Sequence, residues 1–257
     1  MIAEIVCVGT ELLLGDIVNT NAQFLAQELA HLGIEVHYQT VVGDNPQRIK
    51  NALDIAFSRA DTIITTGGLG PTKDDLTKEV VSGYFHKELI LDEPALEMMK
   101  KRLQQRLGSC VISESNRKQA FLPEGSLILY NHHGTAPGCI VEEQGKTVII
   151  LPGPPKEMRP MFEQCIDLYL KHRTDKTFVS VTIRLNGIGE SAAADKVTHL
   201  LDGSNPTVAP YAKEDGVTFR ITASAPTRDE AIELINPVVE EMKELLTGLI
   251  VEISEPK

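Results

Sequence analysis

The hydrophobic positions of this chain change period several times, and the changes mark out its elements. Ile2–Val8 is an apolar run broken only by Glu4, short enough for a buried strand, and Gly9-Thr10-Glu11 ends it. A polar loop is expected from Gly9 to Asn21. Ala22, Leu25, Leu29 and Leu32 then recur at helical spacing, with Asn19, Thr20 or Asn21 as N-cap and Gly33 as the stop. Ile34–Val42 reads as a second strand, and Gly43-Asp44-Asn45-Pro46 turns it into a helix over Gln47–Arg59. A third strand, Thr62–Thr66, meets a glycine turn and then a helix expected to present Leu76, Val80 and Tyr84 on one face. This βαβαβα order predicts a parallel sheet covered by helices on both sides, with ligands at the carboxyl ends of the strands.

Further along, Asp92–Leu107 reads as a charged helix and Glu114–Gln119 as a short one exposing Asn116, Arg117 and Lys118. Gly125–Tyr130, Gly138–Glu143 and Lys146–Leu151 read as strands, the last two joined by a Gln144-Gly145 turn. Pro152-Gly153-Pro154-Pro155 stops the last strand and opens a helix with Met158, Met161, Phe162, Cys165 and Leu168 at helical spacing. A first domain closes near residue 170, and Lys171–Lys176 has the polar, aperiodic character of a linker. Beyond it lie a strand (Phe178–Leu185), a helix (Glu190–Leu201), two strands (Thr207–Tyr211 and Val217–Ser224), a helix (Arg228–Leu246) and a last strand (Leu249–Ile253). Thr227-x-x-Glu230 caps the last helix, and Pro237 inside it predicts a kink. These make a small α+β domain over 177–253.

Composition narrows the class. With 257 residues, 42% of them hydrophobic, the chain can bury one large core or two ordinary ones. No apolar run approaches the roughly 20 residues of a membrane span, and nothing at the N-terminus resembles a signal peptide. Cys7, Cys110, Cys139 and Cys165 form no C-x-x-C pair, which points to buried reduced thiols in a cytoplasmic protein. A formal net charge of −11 argues against a broad nucleic-acid surface.

The candidate chemistry lies in three polar turns that this topology brings to one sheet edge. Glu11 and Asp16 stand in the first, Asp44 in the second, Asp74 and Asp75 in the third. In the third, Gly67, Gly68 and Gly70 break a β-branched strand just before a helix start, a place where unpaired amides suit phosphate. Neither common nucleotide-loop spacing can be laid on these glycines. Carboxylates beside a phosphate loop repel the ligand unless a divalent cation such as Mg2+ takes both sets of oxygens, leaving one carboxylate to deprotonate water. A plainer reading stands beside this one. Thr72-x-x-Asp75 fits a capping box, Asp44 an N-cap or Asx-turn before Pro46, and Asn19-Thr20-Asn21 a helix cap. His132 and His133, adjacent and so facing opposite ways in a strand, read as surface residues. No Ser/His/Asp or Cys/His set can be assembled, and Gly187-Ile188-Gly189-Glu190 does not fit the G-x-x-G loop of an RNA-binding KH module.

Taken together, Gly9-Thr10-Glu11-Leu12-Leu13-Leu14-Gly15 through Asn19-Thr20-Asn21, Val42-Gly43-Asp44, Thr66 through Thr77, Gly134-Thr135-Ala136-Pro137-Gly138 and Leu151 through Met158 resemble the N-terminal region of the competence/damage-inducible CinA family. The resemblance implies a MoaB/MogA-like, molybdopterin-binding-type α/β domain with a three-layer parallel or mixed sheet over 1–170, and a KH-type α+β domain over 177–253. It implies an ADP-ribose pyrophosphatase that releases AMP and ribose 5-phosphate, using Mg2+, Mn2+ or Co2+ with K+ as an optional second ion. It carries functional aspartates onto Asp44 and Asp75, as metal-holding or water-positioning groups. Thr10, Glu11, Asn19, Asn21, Gly67, Gly68, Gly70 and Asp74 would then contact the nucleotide, with Pro152, Gly153 and Pro154 as the opposite wall. The alternatives are a pterin- or nucleotide-binding module without catalysis, or adenylyl transfer to molybdopterin. A homodimer or homotrimer is expected, without a nucleic-acid or membrane partner. Longer family members carry a C-terminal amidohydrolase domain, and no deamidase activity is expected from these residues.

Overall fold

The structure, a computed structural model, describes residues 1–107, 112–173, 177–213 and 216–256. It divides into two compact units, one of Met1–Leu29 with Ile34–Arg173, the other of Thr174–Lys257 with Ala30–Gly33. Part of the expected linker, 174–176, and the expected buried thiol at Cys110 lie outside the described residues.

In the first unit the elements run β1 (Ile2–Val8), α1 (Thr10–Leu14), α2 (Thr20–His31), β2 (Glu35–Val42), α3 (Pro46–Ala56), β3 (Thr62–Thr66), α4 (Thr77–Tyr84), β4 (Leu89–Leu91), α5 (Glu93–Leu107), α6 (Glu114–Lys118), β5 (Phe121–Pro123), β6 (Leu127–Leu129), β7 (Gly138–Glu143), β8 (Lys146–Leu151) and α7 (Pro155–Leu168). The sheet order is β2-β1-β3-β8-β7-β6. The four strands from β2 to β8 are parallel, while β7 runs antiparallel to both β8 and β6. β4 and β5 form a separate antiparallel pair.

Strand alternation divides the core into two layers. Val6, Val8, Ile63, Val148 and Ile150 pack with Ile49 and Leu53 of α3 and Val81 of α4. Ile5, Cys7, Ile64, Ile149 and Leu151 point to the other face, where Leu25 and Leu29 of α2 and Met158 and Phe162 of α7 are buried. Phe24 meets Phe162 edge to face at 6.2 Å, joining α2 to α7. The β7–β8 hairpin closes at Gln144 and Gly145, both at positive φ (51° and 76°), as a two-residue turn of its twist requires.

Four expectations are corrected. The segment expected as a loop after β1 contains α1, which has no buried residue and so no amphipathic signature. α4 buries Thr77, Lys78, Val81 and Ser82, while Val80 and Tyr84 only flank the core. Leu168 of α7 is exposed. His132 and His133 sit in a loop between β6 and β7, although they are exposed as expected.

The one acidic residue of β1 is also accounted for. Glu4, 1% exposed, accepts from Arg59 Nε at 2.7 Å, Arg59 Nη2 at 2.8 Å and Thr40 Oγ1 at 2.6 Å. Burial alone would raise its pKa, but the hydrogen bonds from Arg59 and Thr40 and the Arg59 charge outweigh it and hold the carboxyl below the usual range. A depressed carboxyl contributes stability above its unfolded value and loses it as pH falls through the folded one. Glu4→Gln should therefore cost roughly 1–3 kcal/mol at neutral pH. Denaturant titrations should show the difference shrinking below the ordinary glutamate range.

The second unit runs β9 (Thr177–Leu185), α8 (Glu190–Lys196), α9 (Thr198–Leu201), β10 (Thr207–Lys213), β11 (Gly216–Ala225), α10 (Arg228–Leu245) and β12 (Ile250–Ile253). Its antiparallel sheet, ordered β10-β11-β9-β12, packs Val181, Ile183, Phe219 and Ile221 with Ala231, Ile235 and Met242 of α10. The helix expected over Glu190–Leu201 breaks at Val197 into α8 and α9. α10 starts as expected, with Thr227 Oγ1 accepting from Glu230 N, and runs through Pro237. Among the described residues, no helix is long and apolar enough to cross a membrane.

Candidate functional site

The carboxyl ends of β1, β2 and β3 carry the three polar turns, and the turns share a wall of one cavity of about 590 Å³. Glu11, Asn19 and Asn21 enter it from the first turn and Asp44 from the second. Gly67, Gly68, Gly70, Asp74 and Asp75 enter from the third, and Pro152, Gly153 and Pro154 line it from the end of β8. Thr10 alone of the expected contacts is not on the wall. It stands behind Asp44, whose Oδ2 accepts from Thr10 N at 2.8 Å and Thr10 Oγ1 at 2.9 Å.

The glycine turn has the shape it has because two backbones meet there. Gly67 has φ +105° and Gly68 φ +68°. A Cβ on Gly67 would lie 2.0 Å from Val8 O, and one on Gly68 2.1 Å from Thr77 Oγ1. Gly67 donates to Leu151 O at 3.0 Å, and Thr77 returns to the turn with its amide on Gly68 O and its hydroxyl on Gly67 O. Among the described residues, the amides of Gly68, Leu69 and Gly70 donate to no protein acceptor. They are available to an anion.

Thr72-x-x-Asp75 is not a capping box. α4 begins only at Thr77, and its N-cap Leu76 makes no side-chain cap. Asp75 instead folds back, its Oδ2 accepting from Thr72 N at 3.0 Å and from Thr72 Oγ1 at 2.5 Å. The same hydroxyl lies 2.5 Å from Asp74 Oδ1, so one proton serves two carboxylates, and that hydrogen bond holds Asp74 below the usual range. Asp44 likewise is not the cap of α3; Asn45 is, accepting from Arg48 N at 3.0 Å. Asp44 and Asp75 thus share a design, each anchored through Oδ2 and, among the described residues, leaving Oδ1 without a hydrogen-bond partner. In the first turn Asn19 does cap α2, accepting from Ala22 N at 3.1 Å. Asn21 reaches across the sheet, donating to Thr66 Oγ1 at 2.9 Å and Gly153 O at 2.7 Å.

Sequence reasoning did not place Gln119, Thr135, Ala136 or Glu157 in the site, yet all four line the cavity. Glu157 stands in the first turn of α7, its Oε2 held by Asn131 Nδ2 at 2.9 Å, and Thr135 and Glu157 lie inside motifs that carried the family resemblance. Gln119 had no local signal. It follows α6 and donates to Leu69 O at 2.9 Å. Lys118 beside it donates to Asp75 O at 2.7 Å and pairs with Glu79 at 3.3 Å. Arg117 sits over the Phe121 ring, 5.8 Å from its centre. Lys118, at the end of α6, thus ties down the loop that carries Asp75.

Behind the glycine turn, Lys78 is 4% exposed and donates to Lys118 O at 2.9 Å and Gln119 O at 3.1 Å. Burial pulls its amine down to about 8, the neighbouring Glu79 opposing this. The unfolded chain then keeps the proton at a pH where the folded chain has lost it, so stability rises as pH climbs from about 8 toward the ordinary lysine range. Lys78→Met should flatten that rise, as read from denaturant midpoints between about pH 8 and about pH 10.

Electrostatics sets what the cavity can bind. Among the described residues, its lining holds five carboxylates (Glu11, Asp44, Asp74, Asp75, Glu157) and no Lys, Arg or His. Among the described residues, no three His, Cys, Asp or Glu side chains gather closely enough to cage a metal by themselves. Of the described thiols, Cys139 and Cys165 are buried and pushed up to about 12 by desolvation, and Cys7 is raised by burial too.

A mixed α/β sheet with a carboxylate-walled cavity over a glycine turn at its switch edge is the architecture of a small-molecule pocket protein. The chain belongs to the family described as the probable molybdopterin binding domain, matched over residues 4–172, and its second unit matches the damage-inducible protein CinA KH domain over residues 180–251. A competence-damage inducible protein of Clostridium beijerinckii is 55% identical over 247 residues, covering 96% of this chain and 60% of that relative. Another, from Clostridium kluyveri, is 52% identical with the same coverage. The chain thus spans about 60% of the length of the curated relatives it matches. The crystal structure of a CinA protein from Thermoplasma acidophilum is similar at 37% identity and a TM-score of 0.60, over 65% of this chain and 98% of that one.

Proposed function

We propose that this chain hydrolyses the diphosphate of ADP-ribose, giving AMP and ribose 5-phosphate, with a divalent cation of the Mg2+, Mn2+ or Co2+ type and room for K+ as a second ion. The observation that carries this reading is the pairing of three unused loop amides with a wall of carboxylates that holds no basic side chain. The amides suit phosphate oxygens, and the carboxylates make a cation necessary for those oxygens to enter.

The residues present fit such an ion. A Mg2+-like cation keeps several waters, takes one or two carboxylates and completes its shell with substrate phosphate, so a protein-only cage of three ligands is not required. Asp44 and Asp75, through their unpartnered Oδ1 atoms, are the groups that would hold it. Bound there, the ion would neutralise phosphate charge and lower the pKa of a coordinated water.

The chain's own part is positional. The amides of Gly68, Leu69 and Gly70 orient the diphosphate and meet charge that grows on its oxygens as the anhydride bond breaks. A water oxygen bonds to phosphorus, the bridging oxygen leaves with the other phosphate, and a free carboxylate of the wall accepts the water's proton. Thr10 and Thr72 hold Asp44 and Asp75 in place. A homodimer or homotrimer remains part of this reading.

Purified protein incubated with ADP-ribose and Mg2+, Mn2+ or Co2+ is expected to release AMP in step with ribose 5-phosphate, and to stop when EDTA removes the ion. Binding without AMP release would replace the hydrolase by a binding module. Transfer of AMP from ATP to molybdopterin would replace it by an adenylyl transferase.

A further inference from the structure

Three successive carbonyls of the glycine turn are each met by a donor from inside the protein. Gly67 O accepts from Thr77 Oγ1 at 2.9 Å, Gly68 O from Thr77 N at 3.2 Å and Leu69 O from Gln119 Nε2 at 2.9 Å. Both donor residues are interior, Thr77 fully buried and Gln119 nearly so. Among the described residues the one cis peptide bond is Asn205-Pro206, so these three peptide units are trans. In a trans unit the C=O and the N–H that follows it point in opposite directions. Holding the three oxygens inward therefore turns the amides of Gly68, Leu69 and Gly70 outward, toward the cavity that the same residues line. They are the three amides that, among the described residues, no protein acceptor takes.

The two residues are set in place by different means. Thr77 is the first residue of α4 and brings a hydroxyl and an amide to the turn together, so it fixes two peptide units at once. Gln119 reaches Leu69 across 50 residues, and its own backbone is pinned by Lys78, whose Nζ donates to Gln119 O at 3.1 Å and to Lys118 O at 2.9 Å. The bond to Leu69 has a cost, since Gln119 Oε1 is buried and, among the described residues, has no partner. We infer that Thr77 and Gln119 are positioning residues that aim the phosphate-binding amides, Thr77 those of Gly68 and Leu69, Gln119 that of Gly70. The inference rests on the nucleotide reading above and gives its anion site a rigid frame. Donors fixed before the ligand arrives need no reorganisation when charge grows on its oxygens. In this role neither side chain touches the ligand.

The test is the amide proton–nitrogen correlation spectrum of the isotope-labelled protein, with Mg2+ present, during titration with AMP. The amide protons of Gly68, Leu69 and Gly70 are expected to move downfield as the phosphate binds. Gln119→Met, which removes the donor at similar size, should abolish the Gly70 shift and keep that of Gly68. Thr77→Val should do the reverse, and Thr77→Ser, which keeps the hydroxyl, should restore the Gly68 shift. AMP should bind about tenfold more weakly to Gln119→Met and to Thr77→Val than to the unaltered protein. A Gly70 shift that survives in Gln119→Met overturns the inference, and so does an equal loss at all three amides, which would make the bond merely structural. Binding of AMP to the unaltered protein with none of the three amides moving overturns it with no variant needed. Failure of AMP and ADP-ribose to bind at all overturns the nucleotide reading instead.

Discussion

Asp75→Asn is expected to lower metal-dependent AMP release from ADP-ribose by about a hundredfold or more, with the fold intact by circular dichroism. Asparagine keeps the shape of the side chain and still accepts from Thr72, so the loop should hold. What disappears is the negative charge at Oδ1, the atom the protein leaves unpartnered. Had Asp75 only capped α4, the same change would cost a few tenths of a kcal/mol of stability and little rate, because asparagine caps a helix as well as aspartate does. The structure excludes that role by starting the helix two residues later. Full turnover by the variant would remove Asp75 from the reaction.

Gly67→Ala is the substitution with the largest expected effect on stability. The φ of +105° is unfavourable for any L side chain, and the new Cβ would meet Val8 O, a backbone atom at the carboxyl end of β1. Strain and overpacking together should cost roughly 2–5 kcal/mol, a fall in melting temperature of about 5–15 °C for a unit of this size. Gly83→Ala provides the contrast. That glycine lies within α4, has nothing within 4 Å of the position a Cβ would take, and should gain about 0.5–1 kcal/mol. A thermal scan in which the two behave alike would contradict the described path of the glycine turn.

Much of the fold could be read from the chain because period and punctuation agree there. Ile2–Val8, Thr62–Thr66, Gly138–Glu143 and Lys146–Leu151 are bounded by glycines, prolines or polar turns, and each appears as a strand over those residues. α1 could not be read, because a surface helix of five residues buries nothing and leaves no periodic trace. The buried face of α4 was misjudged for a physical reason, since a lysine is rarely inside unless backbone carbonyls receive it, and Lys118 and Gln119 lie about 40 residues downstream. The capping box was misread because a hydroxyl and a carboxylate three residues apart close a plain turn as readily as a helix start. The three turns of the cavity were visible from topology alone. Gln119 was not, because its place on the wall depends on a bond to Leu69 across 50 residues.

The sheet order also bears on how the chain must be made. β3 is wholly buried because β8 lies along it, and the two are joined by residues as far apart as Thr65 and Ile149, 84 positions along the chain. Until that later strand has left the ribosome, Thr62–Thr66 is a bare, β-branched edge, the kind of surface on which nascent chains pair with the wrong neighbour. The wall made by Pro152, Gly153 and Pro154 is then also missing. An N-terminal fragment that stops short of β8 would hold every residue of the glycine turn and still have no pocket, and it should come off the ribosome needing a chaperone.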